Sequence, residues 1–414
     1  MKKLLLILAL AVGATATQAA PPKAAILKPG TWKGVIQRPD GKQIVFNFDV
    51  KQTNGKKVLY VLNATERLLV DDIRQEGDSL WITMPFFDAS FATVIKPNGS
   101  LEGKYIKVSG ERRFEIPFYA LPNNKERYPI TPATRHNVTG RWDVTFGEGD
   151  KSSKAVGEFQ QAANGKVTGT FLTPTGDYRY LEGGIDRDTL RLSAFDGSHV
   201  YLFTAQLGDP NEIKEAVFYA GGAGKENWTA RKDANAQLPD GFDAVKLRPG
   251  ESKLNFRFPA TTGEQIGIND DRYKNKVVII QILGSWCPNC MDETKYLVDF
   301  YNKNKSRGVE VVGLAYERYT EFEKSKQALA GFQKRLGINY PVLITGVAVS
   351  DPQRTEKTLP QIEPLKGFPT SIFIDKKGNV RKIHTGYDGP ATGAHYDAFK
   401  KEFEGLINEL LAEK

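Results

Sequence analysis

The stretch Lys276–Cys290, KVVIIQILGSWCPNC, decides how the C-terminal part of the chain is read. Its apolar, β-branched run after Lys276 is too short for a helix and reads as a strand buried on both faces. Gly284 and Ser285 break it. From Pro288 onward, Met291, Tyr296, Leu297, Phe300 and Tyr301 recur at helical spacing until Gly308, so the pattern predicts a helix with Pro288 in its first turn. Cys287 then lies at a helix N-terminus and Cys290 one turn on, facing inward. These are the only two cysteines in the chain.

At a helix start the first backbone N–H groups lack partners and the macrodipole is positive, which favours a thiolate over a thiol. Each unit by which a cysteine pKa falls is worth about 1.4 kcal/mol of thiolate preference, and the thiolate is the form that attacks a disulfide. Cys290 can then attack the mixed disulfide and leave a Cys287–Cys290 bridge. A purely structural bridge fits less well, because closing so short a loop removes unfolded-state entropy worth only about 2 kcal/mol. A zinc site fits less well too: no second cysteine pair exists, and His136, His199, His384 and His395 show no ligand spacing. No metal and no other cofactor is expected.

WCPNC after a buried strand, with GFPTSIFID at 367–375 downstream, resembles the TlpA-like and ResA-like thiol-disulfide oxidoreductases of the thioredoxin superfamily. The resemblance runs from about Leu254 to the C-terminus and includes FRFPATTGEQIGINDDRYKNK at 256–276. It implies an α/β thioredoxin-like fold, with Cys287 the exposed nucleophile, Cys290 the resolving thiol and Pro369 a cis-proline against the pair. It also implies that Trp286, Pro288, Phe368 and Pro369 border the bound client chain. Glu293 matches an acidic residue that handles the buried thiol's proton in the ResA-like branch; it also reads as a first-turn carboxylate favoured by the helix dipole. Gln281 stands where thioredoxin carries a buried aspartate, which leaves that role to Glu293 alone or to water. The implied partners are protein disulfides, apocytochromes among them, and an envelope electron donor.

The N-terminus, MKKLLLILALAVGATATQAA, has two lysines, a short apolar core and small residues before Ala19 and Ala20. It reads as a secretory signal at 1–20, cleaved near Ala19, and its core falls well short of the ~20 residues that span a bilayer. A periplasmic protein without stable membrane insertion is expected. Lysine and arginine exceed aspartate and glutamate by a formal +8, but the basic residues are scattered among acidic ones. No basic run with interleaved aromatics appears, which argues against nucleic-acid binding.

From Pro21 to Lys232 short β-branched and aromatic segments alternate with Gly, Asn, Asp and Pro, as in QIVFNFDV at 43–50, KVLYVL at 57–62, SLWITM at 79–84 and TLRLSA at 189–194. The region reads as all-β. It also reads as duplicated: Gly30-Thr31-Trp32 and Gly140-Arg141-Trp142, Asn54-Gly55 and Asn164-Gly165, and Asp78–Leu80 and Asp188–Leu190 share one offset, and Phe87-Asp88-Ala89-Ser90 resembles Phe195-Asp196-Gly197-Ser198. Each unit, 21–130 and 131–232, has strands enough to close a small barrel or sandwich, with Trp32 and Trp142 as plugs or ligand contacts. The repeats read as a module that presents clients.

A linker rich in Asp, Pro and Gly is expected at 233–252 and the thioredoxin-like domain at 253–414. There Leu254–Pro259, Val309–Ala315, Tyr340–Ile344, Thr370–Ile374 and Val380–His384 read as strands, and Glu321–Leu336 and Ala394–Ala412 as helices. Val347–Lys366 reads as a long connection, either bordering the client groove or an inconsequential excursion. The leading expectation is an exported oxidoreductase that reduces protein disulfides through its CxxC dithiol. The alternatives are a peroxiredoxin-like peroxidase, or a β-barrel binder carrying a redox-inert thioredoxin-like domain, which requires inaccessible cysteines.

Overall fold

A computed structural model describes residues 26–132 and 134–413; the expected signal at 1–20 lies outside them. The alternating N-terminal segments form two nine-stranded antiparallel sheets. In the first, Gly30–Gln37 pairs with Gln43–Thr53 on one side and with Arg112–Pro122 on the other. Glu66–Val70 pairs back to Lys56–Asn63, and beyond a break at Asp71 its continuation, Asp72–Glu76, pairs on to Ser79–Thr83. One bent strand thus carries the sheet round its corner. In the second sheet Gly140–Phe146 pairs with Ser153–Gln161 and Gly224–Lys232, and Ser153–Gln161 pairs on to Lys166–Thr173, which closes the circuit. Both units are barrels rather than sandwiches, and closure leaves few free edges.

The duplication extends to single hydrogen bonds. Trp32 Nε1 donates to Lys28 O at 3.0 Å and Trp142 Nε1 to Val138 O at 2.9 Å. Gly30 and Gly140, two residues earlier, have φ of +124° and +121°, a region open to glycine. Both indoles are buried in their barrel cores, so each acts as a plug. The interiors are filled by aromatic rings, as where Phe203 stacks on Phe218 at 4.4 Å.

Equivalent hairpins of the two barrels serve different neighbours. After Thr189–Phe195, Phe195 leaves its own barrel and stacks on Phe46 of the first at 4.2 Å, while Asn63 Nδ2 donates to its carbonyl at 2.8 Å. After Ser79–Thr83, Phe87 instead joins the packed core around Cys287, and Phe86 meets Phe332 edge-on at 6.3 Å.

The C-terminal sheet has five strands in the order Val342–Ile344, Val309–Ala315, Val277–Leu283, Thr370–Ile374, Val380–Thr385. The first three are parallel and the last two antiparallel to their neighbours. Every residue of the central strand Val277–Leu283 is buried. Val277, Ile279 and Leu283 face a core completed by α1 (Pro288–Asn304), α2 (Phe322–Leu336) and α4 (Ala394–Ala412). Val278, Ile280 and Ile282 face Leu254, Phe256, Ile266, Leu359 and Ile362. Burial on both faces explains why the strand reads as an unbroken apolar run.

Three expectations need adjustment. Of Leu254–Pro259 only Arg257–Pro259 is a strand, because only it pairs, with Gln265–Gly267; Leu254 and Phe256 are apolar because they are buried. Of Tyr340–Ile344 only Val342–Ile344 pairs. The connection 347–366 contains a short helix, α3 (Arg354–Thr358). Arg354 lies over the Phe368 ring at 5.8 Å and Thr358 hydrogen-bonds Tyr316 at 2.6 Å, so this segment backs the loop that enters Pro369.

Candidate active site

The strand Val277–Leu283 delivers the chain to the sheet's C-terminal edge, where Gly284 and Ser285 turn it into α1. Cys287 is the N-cap of α1, Pro288 its first residue, and Cys287 Sγ accepts a hydrogen bond from Cys290 N at 3.3 Å. Both cysteines are free thiols. The Phe368–Pro369 bond is cis, and the Phe368 carbonyl oxygen stands 3.7 Å from Cys287 Sγ. Trp286 meets Phe368 edge-on at 5.4 Å, donates from Nε1 to Tyr316 O at 2.9 Å and lies under Arg318. The fold therefore brings Trp286, Cys287, Pro288, Phe368 and Pro369 together.

Cys290 is fully buried, and burial, then the adjacent Cys287 sulfur, pushes its thiol pKa well above the usual range. A group must take its proton when it attacks. Glu293, one turn on, is also fully buried. Gln281 Nε2 donates to Glu293 Oε2 at 2.8 Å and Ser371 Oγ to Oε1 at 2.9 Å. Gln281 is itself held by Thr294 Oγ1 at 3.0 Å. Burial outweighs these bonds and pushes the Glu293 carboxyl up to about 7. Gln281, in the place of the buried aspartate of thioredoxin, is thus bonded directly to Glu293. Ser371, two residues past Pro369, was missed from the sequence, as was Glu317. Glu317 accepts from Ser285 N and Oγ, both at 2.8 Å, and burial pushes it up to about 7.

Cys287 is not the exposed nucleophile expected from the sequence: only 6% of it is accessible. Both barrels contribute to its surroundings. Phe87 of the first lies in its packing cluster. Tyr201 of the second lies close enough that, after burial, Tyr178 and Asp196, the Cys287 sulfur adds to the rise of its phenol pKa. Asn289 Nδ2 donates to Asp177 O at 3.2 Å, and Gly389 N to Asp177 Oδ2 at 2.7 Å. Beside them Arg179, 3% exposed, ion-pairs with Glu66 of the first barrel, Asp196 of its own barrel at 3.6 Å and Asp292 of α1 at 3.3 Å. Burial disfavours the Arg179 charge, but Asp292, Glu66 and Asp196 outweigh it and raise its pKa. Asp177, pushed up to about 7 by burial first, completes the cluster.

The Redoxin family matches residues 248–398, the part that holds the dithiol, Glu293 and Pro369. Thiol-disulfide oxidoreductase ResA of Bacillus thuringiensis is 30% identical over 175 residues, 42% of this chain and 86% of that protein. ResA of Bacillus subtilis is 32% identical over 140 residues, 34% of this chain and 69% of that protein. The chain belongs to the ResA/TlpA-like thiol-disulfide oxidoreductases. A putative thiol:disulfide interchange protein DsbE from Chlorobium tepidum is 21% identical, covering 39% of this chain and 99% of its own, with a TM-score of 0.30. This ResA/TlpA-like chain is a thiol-disulfide oxidoreductase preceded by a large all-β region. Among the described residues no helix is long and apolar enough to cross a membrane.

The buried acids make a pH prediction. Glu293, Glu317 and Asp177 are all raised to about 7, so each holds its proton more tightly folded than unfolded. Their contribution to stability is complete below about pH 4 and is lost as pH rises towards about 7, at no more than about 1.4 kcal/mol per pH unit for each group. Glu293→Gln, neutral throughout, should flatten the decline of the urea midpoint between about pH 5 and 7. Midpoints of parent and variant that fall in parallel would show that Glu293 is not a titrating group in this window.

Proposed function

We propose that the chain is an exported enzyme that reduces protein disulfides through the Cys287–Cys290 dithiol. The observation that supports this most is the placement of Cys287 Sγ at the start of α1, beside the Phe368 carbonyl, with Cys290 and Glu293 at successive turns behind it. Cys287, as thiolate, attacks one sulfur of the client disulfide; that bond breaks and the other client sulfur leaves as a thiolate. Cys290 then attacks Cys287 Sγ, its proton passing to Glu293, and the second client thiolate departs. Two electrons have moved to the client and the Cys287–Cys290 disulfide remains, to be reduced by an envelope donor. Trp286, Pro288, Phe368 and Pro369 form the wall along which the client lies. Export is supported by the N-terminal sequence, and Asn289 supports reduction, since it supplies no positive charge between the cysteines.

The test is the equilibrium potential of the pair, read by trapping the thiols in glutathione buffers. A value near the reducing end, about −270 to −200 mV, is expected. A value near −120 mV would make the chain an oxidant instead. Burial of Cys287 favours the redox-inert alternative, but membership of an oxidoreductase family weighs against it, and Phe87, which shares its packing cluster, comes from outside the thioredoxin-like fold.

A further inference from the structure

We propose that the paired barrels are a gate over the dithiol: the Thr173–Asp177 hairpin and Phe87 occupy the groove beside Phe368–Pro369, and a protein disulfide reaches Cys287 only when they lift away. This rests on the reading of Cys287 as the nucleophile.

The hairpin touches three loops of the redox unit. At the active-site turn, Gly176 is so close that a Cβ on it would stand 1.9 Å from Asn289 Nδ2. At the cis-proline loop, a Cβ on Gly367 would stand 2.5 Å from Thr175 Cγ2. At the loop after the last strand, a Cβ on Gly386 would stand 3.1 Å from Pro174 O, and Gly389 N is bonded to Asp177. A client chain passing along Phe368–Pro369 to Cys287 would need this space.

The contacts differ on the two sides of the barrel pair. The barrels hold each other through core: Phe195, Val200, Leu202 and Tyr219 of the second complete the apolar cluster of the first. They hold the redox unit largely through polar contacts, as in Arg179–Asp292 at 3.3 Å, Arg335–Asp71 at 3.0 Å, Arg318 to Ser109 at 2.7 Å and Tyr319 to Gly110 at 3.2 Å. Polar contacts of this kind are typical of domain surfaces that separate, whereas a shared apolar core is not. The tether suits the motion. Leu238 still packs on the second barrel and Phe242 already packs on the redox core, against His384 at 4.6 Å, so the connection between them is the short stretch 239–241.

The cover is also held in strained backbone. Phe87 and Asp88 have φ of +73° and +46°, and Arg179 has +57°. A bulky residue in this region persists only where its surroundings impose it. For Phe87 the turn is held by Met84 N to Ala89 O at 2.8 Å and Val108 N to Asp88 O at 2.9 Å, and the ring is seated in the cluster of the redox unit.

The experiment compares reduced full-length parent with Phe87→Gly, which removes the ring and suits the positive φ, and Gly176→Val, which cannot sit against Asn289. The readouts are the rate of iodoacetamide labelling at Cys287, located by mass spectrometry, and turnover of insulin disulfides. A closed gate that opens to about 0.1–10% predicts labelling at least ~10-fold faster in the variants, with insulin turnover rising alongside. Parent labelling as fast as in Phe87→Gly overturns the gate, and that variant decides alone if Gly176→Val fails to fold. Fast labelling in the variants without insulin turnover keeps the gate and overturns instead the reading of Cys287–Cys290 as the reducing dithiol.

Discussion

Cys287→Ser is expected to lower turnover of protein disulfides by about a thousandfold or more, at least ~4 kcal/mol of transition-state stabilisation. A serine hydroxyl at the same N-cap is a far weaker nucleophile than a thiolate and cannot form the mixed disulfide. Cys290→Ser should behave differently. It keeps the attacking sulfur but lacks the resolving one, so a covalent adduct with the client accumulates and turnover stops after one event. Non-reducing electrophoresis with an insulin client separates the two variants. Parent-like turnover in Cys287→Ser would sink the assignment of the nucleophile, and absence of adduct in Cys290→Ser would sink that of the resolving thiol.

Arg179→Met should cause the largest loss of stability of any single change at the interfaces. Its guanidinium is buried among Glu66, Asp196 and Asp292, one from each barrel and one from α1. Burial raises the Asp196 carboxyl, but His199 and then Arg179 outweigh it and hold it below the ordinary carboxylate range. Removing the cation leaves buried anions uncompensated, a loss of about 3–5 kcal/mol. Urea unfolding at neutral pH measures it, and a loss under about 1 kcal/mol would mean that the cluster is not a tie. The same substitution severs the contact to α1, so stability should fall while access to Cys287 rises.

The C-terminal fold was legible because its signals are local. The run Val277–Leu283 is apolar on both faces since both faces are covered, and α1, α2 and α4 end where the pattern says, α1 and α2 near Gly308 and Gly337 in left-handed conformations. The duplication was legible because Trp32 and Trp142 repeat a local bond, not merely a letter. What the sequence could not show is long-range. Arg179 lies far along the chain from both Glu66 and Asp292, and no periodicity predicts that three charges converge. Phe87 offered a faint signal, two adjacent aromatics in the turn after a strand, which has no place in a barrel of its own. Cys287 was misread as exposed for the same reason: the covering residues belong to elements read as separate units.

The use of one hairpin in two places fixes an order of attachment. The second barrel inserts its hairpin tip, Phe195, into the first, and the first inserts Phe87 into the thioredoxin-like unit, so by these prongs the first barrel stands between the other two, although it comes first along the chain. At each of these two points an aromatic prong on one body fills a socket on the next. The first barrel thus becomes the keystone: a lesion that empties its socket for Phe195 also strips the second barrel of its main anchor, although neither the dithiol nor the tether has been touched.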